Sequence, residues 1–201
     1  MREIYLASNS KARKKVLKDF GLKFKVLLGR VKETSSKGKL SYAKLVEKNA
    51  LEKAQGVAGK IKHGLVIAAD TIVVQDKKIF GKPKNIRDAR ATLKKLSSSP
   101  QWLYTGIVVI DKDKNKIISD YEKTKIYMDK LNDNEISEYF KKVSPLDKAG
   151  SFDIQGRGAL FIRRIEGCYY NVVGLPVRKL YRMLKLIDPK IFYFLIFLFL
   201  F

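Results

Sequence analysis

The chain has 201 residues, and an apolar fraction of 46% is enough to fill the core of a compact domain, which argues against intrinsic disorder. The sequence contains 42 Lys and Arg against 20 Asp and Glu, a formal net charge of +22. This balance favours polyanionic partners such as nucleotides, nucleic acid or an anionic membrane surface. Because the lysines are spread along the whole chain, a solvated basic surface without such a partner is an equal alternative.

Cysteine and histidine usage excludes several kinds of site. Cys168 is the single Cys and His63 the single His, so an intramolecular disulfide and a Cys/His zinc site are excluded. His63 precedes a glycine in "IKHGL" and is predicted to lie at a helix end. We therefore expect the chemistry to use carboxylates, Lys, Arg and a metal ion.

The two ends of the chain differ in character. The N-terminal stretch "MREIYLAS" lacks the long apolar segment of a signal peptide, so we expect a cytoplasmic protein. Residues 191–201, "IFYFLIFLFLF", are apolar without interruption but cover only about half of a bilayer core as a helix. Membrane association, an oligomer contact and an aggregation-prone segment all stay open for this tail. We expect one domain over residues 1–188 and a tail of unknown role over 189–201.

In chain order, the first third of the sequence predicts two strands and two helices. The strands are expected over 3–8 and 24–31. Ser10 is the predicted N-cap of the first helix, which should run to about residue 20. Ser41 is the predicted N-cap of a longer helix that should run to about residue 61.

The rest of the chain continues to mix strands with helices. A buried strand is predicted over 65–74, and Asn85 and Asn132 are predicted N-caps of two further helices. Strands are predicted over 102–111, 116–131 and 158–167, with a final helix over 175–187. The class is therefore α/β, with a mixed, twisted central sheet and helices packed on it.

The stretch "LASNSKARKKVL" is a candidate anion site. A strand leads into a helix whose first turn carries Ser8, Ser10, Lys11 and Arg13. The free N–H groups and the dipole of a helix N-terminus favour a phosphate, and hydroxyls and cations suit it. The alternative is that Ser10 is only a cap and Arg13 only a solvated charge.

Asp70 interrupts the apolar run "VIAADTIVV", and three interpretations compete for it. In the first it is a strand-end residue that reaches water, and in the second a buried carboxylate paired with a cation. In the third it is a catalytic base or a metal ligand. An unpaired buried carboxylate is costly, so nearby cations matter. The candidates are Lys53 on the second helix, Lys82 in "GKP" and Lys148 in "LDKAG".

Several stretches together resemble the Maf family of nucleoside triphosphate pyrophosphatases over residues 3–187. They are "LASNSKARKKVL", "AADTIVV", "GKP", "YTGIVVID", "PLDKAGSFDIQG" and "IEGCYYNVVGLP", in the same order and spacing. The resemblance implies two lobes around a nucleotide cleft, a Maf/ITPase-like fold. It also implies hydrolysis of a nucleoside triphosphate between its α- and β-phosphates, and the possibility of a homodimer.

The resemblance further implies roles for individual residues. Asp70 matches the proton acceptor, and Glu33 matches an acidic position that would share a divalent metal with it, Mg²⁺ or alternatively Mn²⁺. The phosphate-binding candidates are Ser8, Ser10, Lys53, Lys82 and Lys148. A metal that neutralises the triphosphate and lysines that hold its oxygens suit this chemistry.

Substrate choice in the family tracks three positions, here Arg13, Thr71 and Gln155. This combination resembles the branch that acts on dTTP and UTP. A Gln amide offers both a donor and an acceptor, which matches the edge of uracil or thymine.

The chain also departs from the family pattern. The first helix usually opens Ser-Pro-Arg-Arg, but Ala12 replaces the first arginine here and the proline is absent. If that arginine holds phosphate, Lys11 or Lys14 must replace it without a bidentate fork. A non-catalytic nucleotide or nucleic-acid binding protein is the alternative hypothesis. No stable nucleic-acid complex is expected, because the sequence shows no ordered stripe of aromatic and basic residues.

Overall fold

The structure, a computed structural model, describes residues 2–31, 34 and 38–191. Within these residues seven strands form one mixed sheet, and six α-helices pack on it, so the predicted fold class is confirmed. The strands are β1 (Ile4–Leu6), β2 (Lys25–Val26), β3 (Leu65–Gln75), β4 (Lys78–Phe80), β5 (Gln101–Asp111), β6 (Lys116–Met128) and β7 (Ile162–Glu166). The helices are α1 (Lys11–Asp19), α2 (Tyr42–Ala58), α3 (Ile86–Leu96), α4 (Asp133–Lys142), α5 (Tyr169–Val173) and α6 (Val177–Ile187).

The sheet combines a parallel edge with an antiparallel meander. Its strand order is β2-β1-β3-β5-β6-β7, and β4 pairs with β3 beyond the end of β1. β1 runs parallel to β2 and β3, whereas β3, β5, β6 and β7 pair antiparallel in sequence. The long strands β3, β5 and β6 run through both halves of the molecule and connect them.

Each half of the molecule has its own apolar clusters. In the first half, α1 and α6 cover one face of the sheet and α2 covers the other. In the second half, α3 and α4 pack against Val73, Leu103 and Ile126 on one face. The N-terminal part of α2 extends over Ile72 and Val74 on the opposite face.

The predicted helix starts are confirmed because each cap forms its hydrogen bond. Ser10, Ser41 and Asn85 each accept a hydrogen bond from the backbone N–H three residues later. Asn132 does the same, and the Glu135 carboxylate accepts a hydrogen bond from the Asn132 N–H, which completes a capping box.

The boundaries of four elements differ clearly from the sequence prediction. The strand expected over 158–167 begins only at Ile162, because residues Arg157–Leu160 form a 3₁₀ helix. The strand expected over 24–31 pairs only over Lys25–Val26, because Gly29 then lies against Gly56 and the chain crosses α2. α2 ends at Ala58 rather than near residue 61, and β6 ends at Met128 rather than 131. The five-residue helix α5 was not predicted.

The apolar C-terminal stretch lies almost wholly outside the described residues, which end at Ile191. Ile191 itself packs beside the cluster formed by α1 and α6. Among the described residues, no helix combines the length and the apolar composition that crossing a membrane requires.

Candidate active site

Among the described residues, the stretch of β3 that contains Asp70 is paired with another strand on one side only. β1 pairs with residues 65–67 of β3 and β4 with residues 73–75, whereas β5 pairs with residues 65–74. Residues 68–72 therefore border a gap between β1 and β4. Asp70 is 4% exposed, so its carboxylate must be compensated by polar partners.

The partners of Asp70 come from α2. The Lys53 ammonium donates to Asp70 Oδ1 at 2.5 Å, and the Asn49 amide donates to Oδ2 at 2.9 Å. Lys53 and Asn49 are one helical turn apart and share the face of α2 that meets the sheet. The interpretation of Asp70 as a strand-end residue in water is therefore wrong. Asp70 is a buried carboxylate paired with a cation, and its catalytic role stays a prediction.

Gly106 explains how α2 comes close enough to supply these partners. It stands opposite Asp70 in the register of β3 and β5. A Cβ atom at Gly106 would lie 2.2 Å from the Val46 carbonyl oxygen, so only glycine allows the α2 backbone to rest on β5 here. Close packing at this point brings the next turns of α2 to the carboxylate.

Asn49 also contacts the loop that precedes α2. Its Oδ1 accepts a hydrogen bond from the Thr34 N–H at 3.2 Å, and its Nδ2 donates to the Thr34 carbonyl oxygen at 3.0 Å. Asn49 is 2% exposed, so these contacts satisfy a buried amide. Glu33, the predicted metal ligand, lies outside the described residues.

Arg13 forms a second cluster of polar contacts beside β3. Its Nε donates to the Gly174 carbonyl oxygen at 2.7 Å, and Nη1 donates to the Ala69 carbonyl oxygen at 2.9 Å and to Ser8 Oγ at 3.1 Å. Its Nη2 donates to Thr71 Oγ1 at 2.9 Å. Gly174 has φ +102°, a conformation that glycine adopts without strain. The guanidinium therefore connects α1, β3 and the end of α5.

Asp70 and Thr71 face opposite sides of the sheet. Side chains alternate along a strand, and Asp70 faces α2 whereas Thr71 lies on the face of α1 and α5. On that face Thr71 Oγ1 lies 3.0 Å from Thr105 Oγ1 of β5. The predicted base and the predicted specificity residues Arg13 and Thr71 are thus neighbours through the backbone and not through side-chain contact.

Lys82 and Lys148 lie on two turns that meet. The Gly150 N–H donates to the Gly81 carbonyl oxygen at 3.1 Å, which holds the "GKP" turn beside the "LDKAG" turn. The Lys148 ammonium donates to Asp147 Oδ1 at 2.7 Å. Lys82 is exposed. This proximity is consistent with the predicted pair of phosphate-binding lysines, whose role stays a prediction.

Gln155 is exposed in a turn after the 3₁₀ helix Ala149–Ser151. The turn is closed by the Gly156 N–H, which donates to Asp153 Oδ1 at 3.2 Å. Among the described residues, no hydrogen bond or ion pair connects Gln155, Lys82 or Lys148 to Asp70. Whether these three side chains share a substrate with Asp70 stays a prediction.

The first turn of α1 carries the departure from the family pattern. Ser10 accepts from the Arg13 N–H as the N-cap, and Ser8 Oγ accepts from the Ser10 N–H at 3.3 Å. Lys14, one of the two candidates to replace the missing arginine, donates to Asn9 Oδ1 at 2.7 Å. The two hydroxyls thus stabilise the helix start and the Arg13 cluster, and phosphate binding by them stays a prediction.

The sequence interpretation missed Asn49, Gly106 and Thr105 as parts of these two clusters. A signal for Asn49 was present, because it occupies the helical spacing of the apolar face formed by Leu45, Val46 and Ala50. A polar residue at such a position indicates a buried polar partner. A signal for Gly106 was also present, because an isolated glycine inside a predicted strand indicates close approach of another backbone. Nothing local marks Thr105, since its role depends on strand register.

A metal ion held by protein alone needs several donor side chains close together. Among the described residues, no group of three or more His, Cys, Asp or Glu side chains is placed to hold a metal. A Mg²⁺ site in which substrate phosphates supply the other ligands requires only one or two protein carboxylates. Asp70 supplies one carboxylate at the gap, and this donor type fits Mg²⁺ or Mn²⁺.

Comparison with known families and proteins gives a consistent result. The family described as Maf-like protein matches residues 3–187. A relative from Alkaliphilus metalliredigens named dTTP/UTP pyrophosphatase is 45% identical over 181 residues, 90% of this chain and 93% of the relative. A protein of the same name from Pelotomaculum thermopropionicum is 42% identical over 185 residues, 92% of this chain and 96% of the relative.

A solved structure extends the comparison at the level of the fold. The Staphylococcus aureus Ham1 protein aligns with a TM-score of 0.54 over 92% of this chain and 98% of its own, at 16% sequence identity. At this identity the likeness concerns the fold alone.

Proposed function

The chain belongs to the Maf family, and from this premise we propose that it hydrolyses dTTP and UTP to the nucleoside monophosphate and pyrophosphate. The names of relatives with 41–45% identity over at least 90% of the chain support this substrate class. The observation that carries the proposal is the buried Asp70 carboxylate, held by Lys53 and Asn49 beside a gap in the sheet.

In the proposed reaction Asp70 accepts a proton from water. The water oxygen bonds to the reacting phosphorus, the phosphoanhydride bond between the α- and β-phosphates breaks, and pyrophosphate leaves. A positioned carboxylate typically contributes roughly 10²–10⁴-fold to such a step. Two hydrogen bonds from α2 fix the orientation of the Asp70 carboxylate and leave acceptor capacity for a water molecule.

A divalent cation, Mg²⁺ or Mn²⁺, would be held by Asp70 and Glu33 and would neutralise triphosphate charge. Lys53, Lys82 and Lys148 would bind phosphate oxygens, with Ser8 and Ser10 as hydroxyl donors. Lys53 is 15% exposed, so its ammonium can exchange an Asp70 contact for a phosphate contact by a small side-chain movement.

We assign substrate choice to Arg13, Thr71 and Gln155. The Arg13 guanidinium donates to a hydroxyl and to two backbone carbonyl oxygens besides Thr71, so its role is to fix the rim of the site. Gln155 is the exposed member and would contact the pyrimidine base.

We further propose that residues 1–188 form the catalytic unit and that it acts in the cytoplasm; the possible homodimer stays a prediction for which a doubled mass is the expected result. Gel filtration with light scattering measures the mass in solution. A chain truncated after residue 188 should keep its turnover, and a loss of turnover in a folded truncated protein would contradict the assignment of the domain.

A nucleotide panel tests the proposed function. Purified protein is incubated with Mg²⁺ and each of dTTP, UTP, dCTP, CTP, dATP and dGTP, and monophosphate and pyrophosphate are measured separately. We expect stoichiometric pyrophosphate from dTTP and UTP. Release of inorganic phosphate with a diphosphate product, or no turnover by folded protein, would contradict the proposal.

The Asp70→Asn variant is the control for this panel. It keeps the size of the side chain and removes its capacity to accept a proton. A contaminating hydrolase would leave the same residual activity in both preparations, whereas turnover by the protein itself should fall roughly 10²–10⁴-fold in the variant. Circular dichroism confirms that the variant is folded.

A further inference from the structure

The second half of the sheet carries a surface that the proposed active site does not use. Five side chains on three adjacent strands alternate aromatic and basic groups, and we call them the basic–aromatic strip. They are Trp102 of β5, Lys123, Lys125 and Tyr127 of β6, and Arg164 of β7.

The strip is connected by cation–π contacts. The Lys123 ammonium lies 5.1 Å from the centre of the Trp102 ring, and the Lys125 ammonium lies 5.6 Å from that ring. Lys125 also lies 5.1 Å from the centre of the Tyr127 ring, and the Arg164 guanidinium carbon lies 4.3 Å from it. Such contacts hold the cations close to the rings and so keep charge concentrated along the strip.

Strand register places all five side chains on one face. Trp102 pairs with Lys125 across β5 and β6, and Tyr127 pairs with Arg164 across β6 and β7. The alternate residues of β6, such as Ile126, point to the other face, where α3 and α4 cover them. By strand geometry the strip measures roughly 13 Å along β6 and 10 Å across the three strands.

The strip is accessible to solvent. Lys123 and Arg164 are exposed, and Trp102, Lys125 and Tyr127 are half-buried. Glu166 is the acidic neighbour, and its carboxylate contacts Arg164 at 2.8 Å and the Tyr127 hydroxyl at 3.1 Å. In the contacts of the strip among the described residues, three cations therefore stand against one carboxylate.

The strip ends beside a small polar cavity of about 150 Å³. The cavity is lined by Tyr127, Lys130 and Arg163 and by the turn of three serines before β5, residues 97–99. The Ser97 and Ser98 hydroxyls already donate to the Lys94 and Lys95 carbonyl oxygens, so the cations Lys130 and Arg163 are the groups here that suit a phosphate, beside the Tyr127 ring.

From this arrangement we propose that the strip binds single-stranded nucleic acid. The cations match the phosphates in charge, and the net charge of +22 draws polyanions to the whole protein. Bases stack on half-buried rings of a sheet face and on guanidinium planes, which a membrane surface does not require. The sequence alone conceals this stripe, because its members lie up to 62 residues apart, from position 102 to position 164.

The fluorescence of Trp102 tests the proposal directly, because it is the single Trp of the chain. The full chain is titrated with oligothymidine of about 12 nucleotides, which is within the usual site sizes. We expect quenching of Trp102 that tracks binding measured by anisotropy of a labelled strand. Binding without any change in Trp102 fluorescence would place the strand elsewhere and overturn the proposal.

The salt dependence gives an independent measure. If the three cations of the strip contact phosphates, the slope of log affinity against log salt is about −2, and the affinity falls roughly 20-fold between 50 and 200 mM. The double variant Lys123→Gln with Lys125→Gln should bind at least tenfold more weakly at low salt, with a slope near −0.7.

A matched pair of substitutions separates the strip from general charge. Lys15 of α1 and Lys141 of α4 are exposed lysines of other surfaces, so Lys15→Gln with Lys141→Gln removes the same charge. This control should bind the strand nearly as tightly as the unsubstituted chain. An equal loss in both double variants, or strip-dependent binding of anionic vesicles without binding of oligonucleotide, would overturn the proposal.

The proposal does not depend on the proposed enzymatic function. Asp70→Asn should bind the oligonucleotide with unchanged affinity, and the double variant Lys123→Gln with Lys125→Gln should hydrolyse dTTP as the unsubstituted chain does. If an excess of dTTP displaces the oligonucleotide, then the oligonucleotide occupies the nucleotide site. That result would overturn the proposal that the strip is a separate binding surface.

Discussion

Two buried aspartates show how the same residue type serves two different ends of the molecule. Asp70 of β3 and Asp111 of β5 are 4% and 0% exposed, and each contacts a cation from another element. The strands hold them five register positions apart, roughly 17 Å along the sheet. They differ in how completely their oxygens are satisfied.

Asp111 accepts four hydrogen bonds from the protein. Arg2 binds both carboxylate oxygens, with Nη1 to Oδ2 at 2.9 Å, and the backbone N–H groups of Asp113 and Lys114 bind Oδ1 at 3.0 and 3.1 Å. A carboxylate has about four acceptor positions, two on each oxygen; three of these bonds end on Oδ1 and one on Oδ2, so Asp111 keeps one open position, on Oδ2. We interpret Asp111 as a structural residue that fixes the β5–β6 turn to the N-terminus.

Asp70 accepts two hydrogen bonds among the described residues, and it borders the gap in the sheet. It therefore keeps acceptor capacity where a metal ion or water can approach. The comparison shows that burial and a cation partner do not by themselves distinguish a functional carboxylate from a structural one. The number of acceptor positions that remain open does distinguish the two carboxylates.

The largest effect should come from Asp70→Asn, and Asp111→Asn is the substitution to compare with it. Asp70→Asn should lower kcat for dTTP roughly 10²–10⁴-fold, because the proton acceptor is lost. Its free energy of unfolding should fall by about 1–3 kcal/mol, because the Lys53 ammonium, 15% exposed, loses its charged acceptor. At temperatures below its melting transition, Asp111→Asn should keep kcat within about threefold of the unsubstituted chain, because Asp111 lies far from the reacting atoms. Steady-state kinetics and urea unfolding measure both quantities, and equal losses of turnover in the two variants would contradict the distinction.

A smaller effect concerns the acid stability that Asp111 provides. Burial raises the pKa of Asp111, but the hydrogen bonds from Arg2, Lys114 and Asp113 outweigh it and hold this pKa below the usual value. The contribution is therefore complete above the unfolded pKa of about 3.9 and is lost as pH falls through the lower folded pKa. Asp111→Asn should cost about 1–3 kcal/mol at pH 7.

The pH dependence of this loss is the check. Urea unfolding between neutral pH and pH 3 should show that the difference between Asp111→Asn and the unsubstituted chain shrinks below pH 4. A constant difference over this range would mean that the Asp111 carboxylate charge does not contribute.

The smallest effect should come from Asn49, which positions Asp70 without accepting a proton. Asn49→Leu removes the amide that holds Asp70 Oδ2 and the Thr34 backbone, and we expect kcat to fall about tenfold, the scale of one hydrogen bond. Gln55→Leu, on the exposed side of α2, is the matched control and should keep kcat unchanged. If Asn49→Leu changes only stability, its contact with Asp70 does not position the base.

Local features were predictable because neighbouring residues encode them. Ser10, Ser41, Asn85 and Asn132 each carry the side chain that satisfies the free N–H groups of a helix start, so the sequence located these starts. The two-residue length of β2 was not predictable, because the course of the chain after it depends on Gly29 meeting Gly56.

For the candidate site, the sequence by itself determined that Asp70 interrupts a buried strand and that such a carboxylate needs polar partners, with Lys53 among the candidates. Only the tertiary structure decided that Asn49 joins Lys53, that Thr71 and Arg13 lie on the other face of β3, and that Trp102 meets Lys125. Desolvation of a charge follows from the apolar residues beside it in the chain. The identity of its partners follows from strand register and from the depth to which Gly106 lets α2 descend, and both depend on residues distant in sequence.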